Sequence, residues 1–283
     1  DSTTFDEGLR EIFAVLQKWL DTPQRMVRAA RHFEAASQVF IRKKNGVTVS
    51  PQALSSFSLV RVRIASRVDL FGGWLDTPPI TFDVPAAVVN IAILVEGEVL
   101  LVEQLLTTGG GWQDQVGGVY PALKMGFYDE EHEAIRVKEI PIERRFKEEI
   151  ERRMAIVYTG QARLAKNLLQ EVIRDWIVRE GNKAHALIQM SKHVNNVVDK
   201  LEKGVFPVEY VREYYDAKKT LATGCEPSAV SRVIALLSEF TDVCWLAGAG
   251  GGGYLCVWMK EHLAFEEARA ILNKVLIVST VGY

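Results

Sequence analysis

Arg67-Val-Asp-Leu-Phe-Gly-Gly-Trp-Leu-Asp-Thr-Pro-Pro79 stands directly after an alternating stretch, Leu59 to Ser66, in which Val60, Val62 and Ile64 share one face and Arg61 and Arg63 the other. Such alternation marks a half-buried strand, so the quoted segment is expected to be a loop at a strand end. Gly72-Gly73 lets the backbone approach a ligand closely, and Pro78-Pro79 stiffens the exit. Asp69 and Asp76 place carboxylates there. A carboxylate accepts two hydroxyl hydrogen bonds at once, which suits a polyhydroxyl ligand; the plain alternative is a tight turn with solvated acids.

Outward from this segment the pattern is that of an α+β protein. Upstream, Phe5 to Leu20 carries apolar residues at three- and four-residue steps and a second helical stretch ends at Asn45-Gly46, so residues 1–57 form a helical preamble. Downstream, Ala86 to Val95 and Met154 to Tyr158 have the composition of strands. Helical periodicity then covers Ala162 to Glu180, Ala184 to Lys203, Val208 to Leu221 and Ser228 to Glu239. Strand signals at Val243 to Leu246 and Tyr254 to Met259, a helix near Phe265 to Asn273 and a strand at Val275 to Thr280 close the chain. The expected division is a preamble over 1–57, a first unit over 58–126 and a helix-rich unit over 127–283.

Two more glycine-centred segments carry the chemistry. Thr107-Thr-Gly-Gly-Gly-Trp-Gln-Asp-Gln-Val-Gly-Gly118 is too rich in glycine for a good helix or strand, so its shape has to be imposed by tertiary contacts or by a ligand. Asp114 within it could take or orient a hydroxyl proton, and Glu103, eleven residues upstream, could hold Mg²⁺. Ala247-Gly-Ala-Gly-Gly-Gly-Gly253 lies between two strands, where a glycine run either bridges them or turns main-chain N–H groups toward an anion. A dinucleotide fold requires a helix after its glycines, and a Walker loop ends in Gly-Lys-Ser/Thr; this run has neither.

Composition narrows the class. The 283 residues are 48% hydrophobic and 25% charged, as in an ordinary globular protein, and 34 Lys and Arg against 36 Asp and Glu give a net charge of −2. No basic field is present to hold nucleic acid or an acidic membrane. Three cysteines (Cys225, Cys244 and Cys256) without a CxxC spacing suggest neither a disulfide framework nor a zinc site, which fits a reducing, cytoplasmic compartment. No apolar run approaches the roughly 20 residues of a membrane span, and no leader sequence is visible. Met125, Met154, Met190 and Met259 read as core filler and the charge-rich run at 143–153 as a solvated helix face.

In this order, the three segments resemble the GHMP kinases, the superfamily named for galactokinase, homoserine, mevalonate and phosphomevalonate kinases. Asp69-Leu-Phe-Gly-Gly-Trp-Leu-Asp-Thr-Pro-Pro79 and Gly109-Gly-Gly-Trp-Gln-Asp-Gln-Val-Gly-Gly118 are similar to the versions in its L-fucose kinase branch. Tyr158-Thr-Gly-Gln-Ala-Arg-Leu-Ala165, Gly224-Cys-Glu-Pro227 and the third glycine run agree with it, and the likeness extends from about Leu59 to the C-terminus. The resemblance implies a two-domain GHMP kinase fold, with a ribosomal protein S5 domain 2-like N-terminal part and a ferredoxin-like, helix-rich C-terminal part. It also implies transfer of the γ-phosphoryl group of ATP to the anomeric hydroxyl of L-fucose, giving fucose 1-phosphate in a salvage route to GDP-fucose.

Carried onto this sequence, the resemblance makes Asp114 the catalytic carboxylate, with Arg67 beside it as opposite charge, and Asp76 the acid that grips sugar hydroxyls. Asp69, Gly73, Trp74, Gly111 and Trp112 are expected around the sugar, Glu103 on Mg²⁺, and Gly248, Gly250, Gly251 and Gly252 near the ATP phosphates. It allows a nucleotidyltransferase domain ahead of Asp1 in the native chain. The sequence departs from the family in one place: Ala86 to Val95 runs through Glu96-Gly97 straight into Glu98 to Leu106, with no Pro-x-x-x-Gly-Leu-x-Ser-Ser phosphate loop between them. The preferred reading is a seam at residues 97–98 across which an internal segment is omitted. Two alternatives stay open: a chain that truly lacks the loop and serves as an inactive sugar-binding or regulatory module, and a kinase for another sugar such as a heptose.

Overall fold

Ser66–Phe71 forms β1, in which Val68 and Leu70 are buried on one face while Arg67 and Asp69 take the other. The strand therefore reaches five residues into the segment expected to be a loop, because its own alternation continues as far as Phe71. The computed structural model describes residues 66–77, 80–93, 111–132, 134–160, 165–177, 180–263, 266–267, 270 and 278–280. The preamble over 1–57, the seam at 97–98 and Glu103 lie outside the described residues, as does most of the helix expected near 265–273.

After β1 come a short helix α1 (Ile80–Asp83), β2 (Ala87–Ile93), α2 (Gln113–Val119), β3 (Leu123–Asp129) and β4 (Ala134–Glu139). The four strands form one antiparallel sheet in chain order, β1-β2-β3-β4, with a register shift between Asp69 and Phe71 that bends β1 where it delivers the Gly72-Gly73 turn. Two features differ from the sequence reading. The second glycine segment contains a helix, because α2 packs across β1 and β2 and that contact outweighs the helix cost of Gly117 and Gly118. The β3–β4 hairpin was not read at all, and the 126/127 boundary falls inside β3, so the first sheet runs on to Glu139.

The later half adds α3 (Arg144–Arg153), β5 (Met154–Tyr158), α4 (Ala165–Ile177), α5 (Gly181–Glu202), α6 (Val208–Leu221), α7 (Ser228–Leu237), β6 (Thr241–Leu246), β7 (Tyr254–Met259) and β8 (Val278–Thr280). A second sheet, ordered β6-β7-β5-β8, is antiparallel throughout. In α5 the side chain of Glu180 accepts the Lys183 N–H at 2.8 Å as an N-cap, and Ala184, Leu187, Met190, Val194, Val197, Val198 and Leu201 make the buried stripe. In α6 the stripe is Val211, Tyr214, Tyr215, Lys218 and Leu221, a lysine included. Helix α5 packs on β2, and α6 on both β1 and β6, so the two helices join the sheets around one core. The indole N–H of Trp245 on β6 reinforces this by donating to the Asp69 carbonyl at 2.6 Å. Among the described residues no helix is long and apolar enough to cross a membrane.

Candidate active site

The polar face of β1 and helix α2 build the centre of the site. The Arg67 guanidinium donates through Nε, at 3.0 Å, and Nη2 to Asp114 Oδ1, while its Nη1 is ion-paired with Asp69 Oδ1. Asp69 is 1% exposed whereas the Asp114 side chain is 66% exposed, so one cation ties a buried acid to an open one. Gly117 makes this approach feasible: a Cβ there would stand 1.9 Å from Arg67 Cδ. On β3, Gly126 plays the matching part beneath Trp112, whose Cζ3 would lie 2.7 Å from an added Cβ.

Asp76 staples the first glycine segment to the second. It is fully buried; Oδ1 accepts the Trp74 N–H at 3.1 Å and Oδ2 the Gln113 N–H at 3.0 Å. Gly111 is obligatory here, since its Cβ would fall 1.9 Å from Asp76 Oδ2. Burial pushes the Asp76 carboxyl up to about 6, with the Gln113 N–H and the Arg67 charge pulling it down and Asp114 pushing it further up. The turn between them demands glycine at Gly72, whose φ is +83° and whose Cβ would meet the Ala87 carbonyl at 2.2 Å; Trp74 takes φ 80° without that freedom.

The third glycine run is held from below. Lys218, buried on α6, donates to the Gly248 carbonyl, and its ammonium stands 4.9 Å from the Trp74 ring centroid and 5.2 Å from that of Tyr214. Gly251 N–H donates to the Cys225 carbonyl at 2.7 Å, and Gly250 passes so close that a Cβ would lie 2.5 Å from Cys225 Sγ. One helix thus touches both the loop that carries Asp76 and the run that follows β6. Beneath α2, cross-strand register aligns Asp69, Asn90 and Lys124 across β1, β2 and β3, all buried. Burial and the nearby Arg67 charge push the Lys124 ammonium down to about 8.

No family model matches the sequence. Two curated proteins do: the L-fucokinase/L-fucose-1-P guanylyltransferase of Bacteroides fragilis is 34% identical over 183 residues, covering 62% of this chain and 19% of that protein. The bifunctional fucokinase/GDP-fucose pyrophosphorylase of Arabidopsis thaliana is 29% identical over 195 residues, covering 65% and 17% respectively. Over about two thirds of its length the chain is thus similar in sequence to these two fucokinases. It spans under a fifth of the length of these curated relatives. Among solved structures, a putative sugar kinase from Campylobacter jejuni shares the fold with a TM-score of 0.51 at 13% identity, covering 78% of this chain and 94% of that one.

In this chain, Arg67, Asp69, Gly73, Trp74, Asp76, Gly111, Trp112 and Asp114 are all brought to one region by β1, α2 and the turns beside them. Their exposures differ from what a ligand-lining set suggests: Asp69, Trp74 and Asp76 are buried at 1%, 2% and 0%, while Asp114 opens to solvent. Gly248, Gly250 and Gly251 reach the same neighbourhood through Lys218 and Cys225, with the Gly251 N–H already given to Cys225. Lys218, Tyr214, Asn90 and Lys124 were not among the expected site residues. The signal for one of them was present, since Lys218 falls on the apolar stripe of α6. A separate concavity of about 550 Å³ is lined in part by Glu149, Arg153, Phe206, Asp242 and Trp258. Its arginine is already ion-paired with Glu149 and Asp242.

Proposed function

We propose that the chain is the catalytic part of a sugar kinase that moves the γ-phosphoryl group of ATP to the anomeric hydroxyl of L-fucose, giving fucose 1-phosphate for a salvage route to GDP-fucose. The observation that carries this reading is the Arg67–Asp114 contact, which joins the first and second glycine segments in one charge pair. Both Arg67 contacts to Asp114 fall on Oδ1, so Oδ2 is the oxygen to receive the sugar hydroxyl proton. Phosphoryl transfer asks the protein mainly for positioning and charge neutralisation, and an oriented acid beside a fixed guanidinium provides both.

Asp76 sets the distance between the sugar loop and α2 by accepting an N–H from each; being fully buried beneath Gly111, it would meet sugar hydroxyls only once that segment moves aside. The donor set suits a phosphate ester. Arg67 supplies fixed positive charge, and the run from Gly250 to Gly253 holds positive φ at every residue, a backbone that side chains would obstruct. ATP would supply the transferred group, held beside Gly248, Gly250 and Gly252, and Mg²⁺ would neutralise its phosphates, with Glu103 assigned to the metal on sequence alone. The chain would adopt the two-part GHMP kinase arrangement, act in the cytoplasm and, like its bifunctional relatives, work beside a nucleotidyltransferase domain in a longer polypeptide.

The test is a phosphorylation assay of this chain with Mg-ATP over a panel of free sugars that includes L-fucose, galactose and a heptose. Preferential phosphorylation of L-fucose at its anomeric oxygen is the expected result. Turnover of another sugar alone would reassign the substrate, and binding of L-fucose without phosphate transfer would make the chain a sugar-binding module.

A further inference from the structure

The buried stripe of α6 is Val211, Tyr214, Tyr215 and Leu221 with one charge among them, Lys218, which is 0% exposed. An ammonium taken out of water costs more than an apolar side chain of similar size, and exchanging a buried charge for a well-packed apolar residue often leaves a fold as stable or more so. Packing alone therefore gives no reason for a lysine here. A local rule broken in a stripe that otherwise obeys it points to function.

What the ammonium touches shows which function. It donates to the Gly248 carbonyl in the third glycine run and stands 4.9 Å from the ring centroid of Trp74, in the turn that carries Asp76. Trp74 is itself buried and gives its backbone N–H to Asp76 Oδ1. A lysine stem is long and its head compact, so a single side chain of α6 reaches both segments.

The carbonyl contact also orients the run. A peptide unit is planar and trans, so its C=O and N–H point to opposite sides. With the Gly248 carbonyl turned to Lys218, the Ala249 N–H of the same unit is turned away from it. Ala249 is half-buried, and its N–H has no hydrogen bond among the described residues. Positive φ at Gly248 (66°) and Gly250 (86°) flanks it, an alternation of backbone hand that turns N–H groups toward an anion. Further on, the Gly251 N–H is given to the Cys225 carbonyl at 2.7 Å, so the run is tied down on either side of Ala249.

We propose that Lys218 is a positioning residue of the candidate active site: by holding the Gly248 carbonyl inward beside Trp74, it turns the Ala249 N–H toward a phosphate oxygen of the nucleotide and fixes the glycine run against the turn that carries Asp76. This rests on the reading of the third glycine run as the place of the ATP phosphates. Sealed from solvent, Lys218 acts through a peptide unit and an indole ring, the support that a precisely held site requires.

Lys218→Met, which keeps an unbranched stem and removes the donor, tests this on the whole chain. The probe is Mg-ADP, followed by calorimetry and by the amide resonance of Ala249; L-fucose binding, the thermal midpoint and turnover with Mg-ATP are read beside it. In the native chain the Ala249 amide shifts as Mg-ADP is added. In the variant the midpoint is equal or higher, that shift is lost, and Mg-ADP binds about tenfold more weakly, the worth of one hydrogen bond to a charged group. L-Fucose binding stays within about twofold, a split that general loosening of the core would not produce. A folded variant with native Mg-ADP affinity overturns the inference. So does a native Ala249 amide that stays in place when Mg-ADP saturates the chain, a measurement that decides the matter even if the variant does not fold. A native chain that phosphorylates L-fucose without that shift keeps the kinase reading and loses this one; a chain that shows the shift and phosphorylates no sugar does the reverse.

Discussion

The two sheets have the same number of strands and bury opposite chemistry. In the second, β7 is Leu255, Cys256, Val257, Trp258 and Met259 without a polar interruption, facing Val243, Trp245 and Leu246 of β6. Arg153, a buried cation at the end of α3 beside this sheet, is well partnered: it donates to the Met259 carbonyl at 2.9 Å, pairs with Glu149 and Asp242 at 2.7 Å each, and lies 4.8 Å over the Trp258 ring. In the first sheet, Asp69, Asn90 and Lys124 are buried side by side, and Asp69 and Asn90 carry oxygens or nitrogens without a hydrogen bond among the described residues. Buried charge that is completely partnered rigidifies a fold, whereas incompletely partnered charge holds interaction capacity in reserve for a ligand or a reacting group. On the proposed reading, the second sheet supplies stability and the first the chemistry.

That division breaks most readily at Asp114. Asp114→Asn is expected to lower kcat for sugar phosphorylation by about 10²- to 10⁴-fold while leaving the thermal midpoint nearly unchanged, because the side chain is mostly in solvent. Steady-state kinetics beside a melting curve check both halves, and near-native turnover would remove Asp114 from the reaction. Trp258→Ala probes the opposite region. Trp258 is 1% exposed and stacked on Phe206 with ring centroids 3.8 Å apart, so truncation should cost about 3–5 kcal/mol in urea unfolding. Specific activity per folded molecule should remain, and a selective loss of activity at full stability would dissolve the contrast.

The smallest expected effect sharpens the comparison through pH. Burial raises Asp76 from an ordinary 3.8 to about 6, so between those values the folded chain binds more protons than the unfolded one. Its contribution to stability therefore falls as pH rises through that window, by up to about 3 kcal/mol for a shift of this size. Asp76→Asn removes the slope: urea midpoints measured at pH 4 and pH 7 should converge relative to the native chain. Equal slopes in the two proteins would place the Asp76 carboxyl in water.

Much of the fold could be read from periodicity. β2, β5 and β7 and helices α4 to α7 form where the patterns put them, within a few residues, because a 2.0 or 3.6 repeat of apolar side chains leaves one way to bury them. Met154, Met190 and Met259 are core filler as expected, and the 143–153 run is a helix whose Phe146 and Ile150 face inward under a charged surface. The candidate site could be proposed from the sequence as a set of residues and not as an arrangement. The motifs name Arg67, Asp76 and Asp114, yet they do not say that Asp76 is sealed beneath Gly111 or that Asp69 faces Arg67 instead of solvent.

By itself, then, the order of residues determined the α+β class, the likeness to fucokinases and which acids and arginine to propose for the site, since those depend on local pattern and on motif. Helix α2 inside a glycine segment, the β3–β4 hairpin, the burial of Lys218 under Gly248 and the polar row through Asn90 were decided only in three dimensions. For the helix, the lysine and the polar row the reason is common: each depends on a neighbour distant in sequence that excludes water or supplies a partner, which no residue's own propensity encodes, whereas the hairpin pairs near neighbours whose alternation is weak because β4 is mostly exposed.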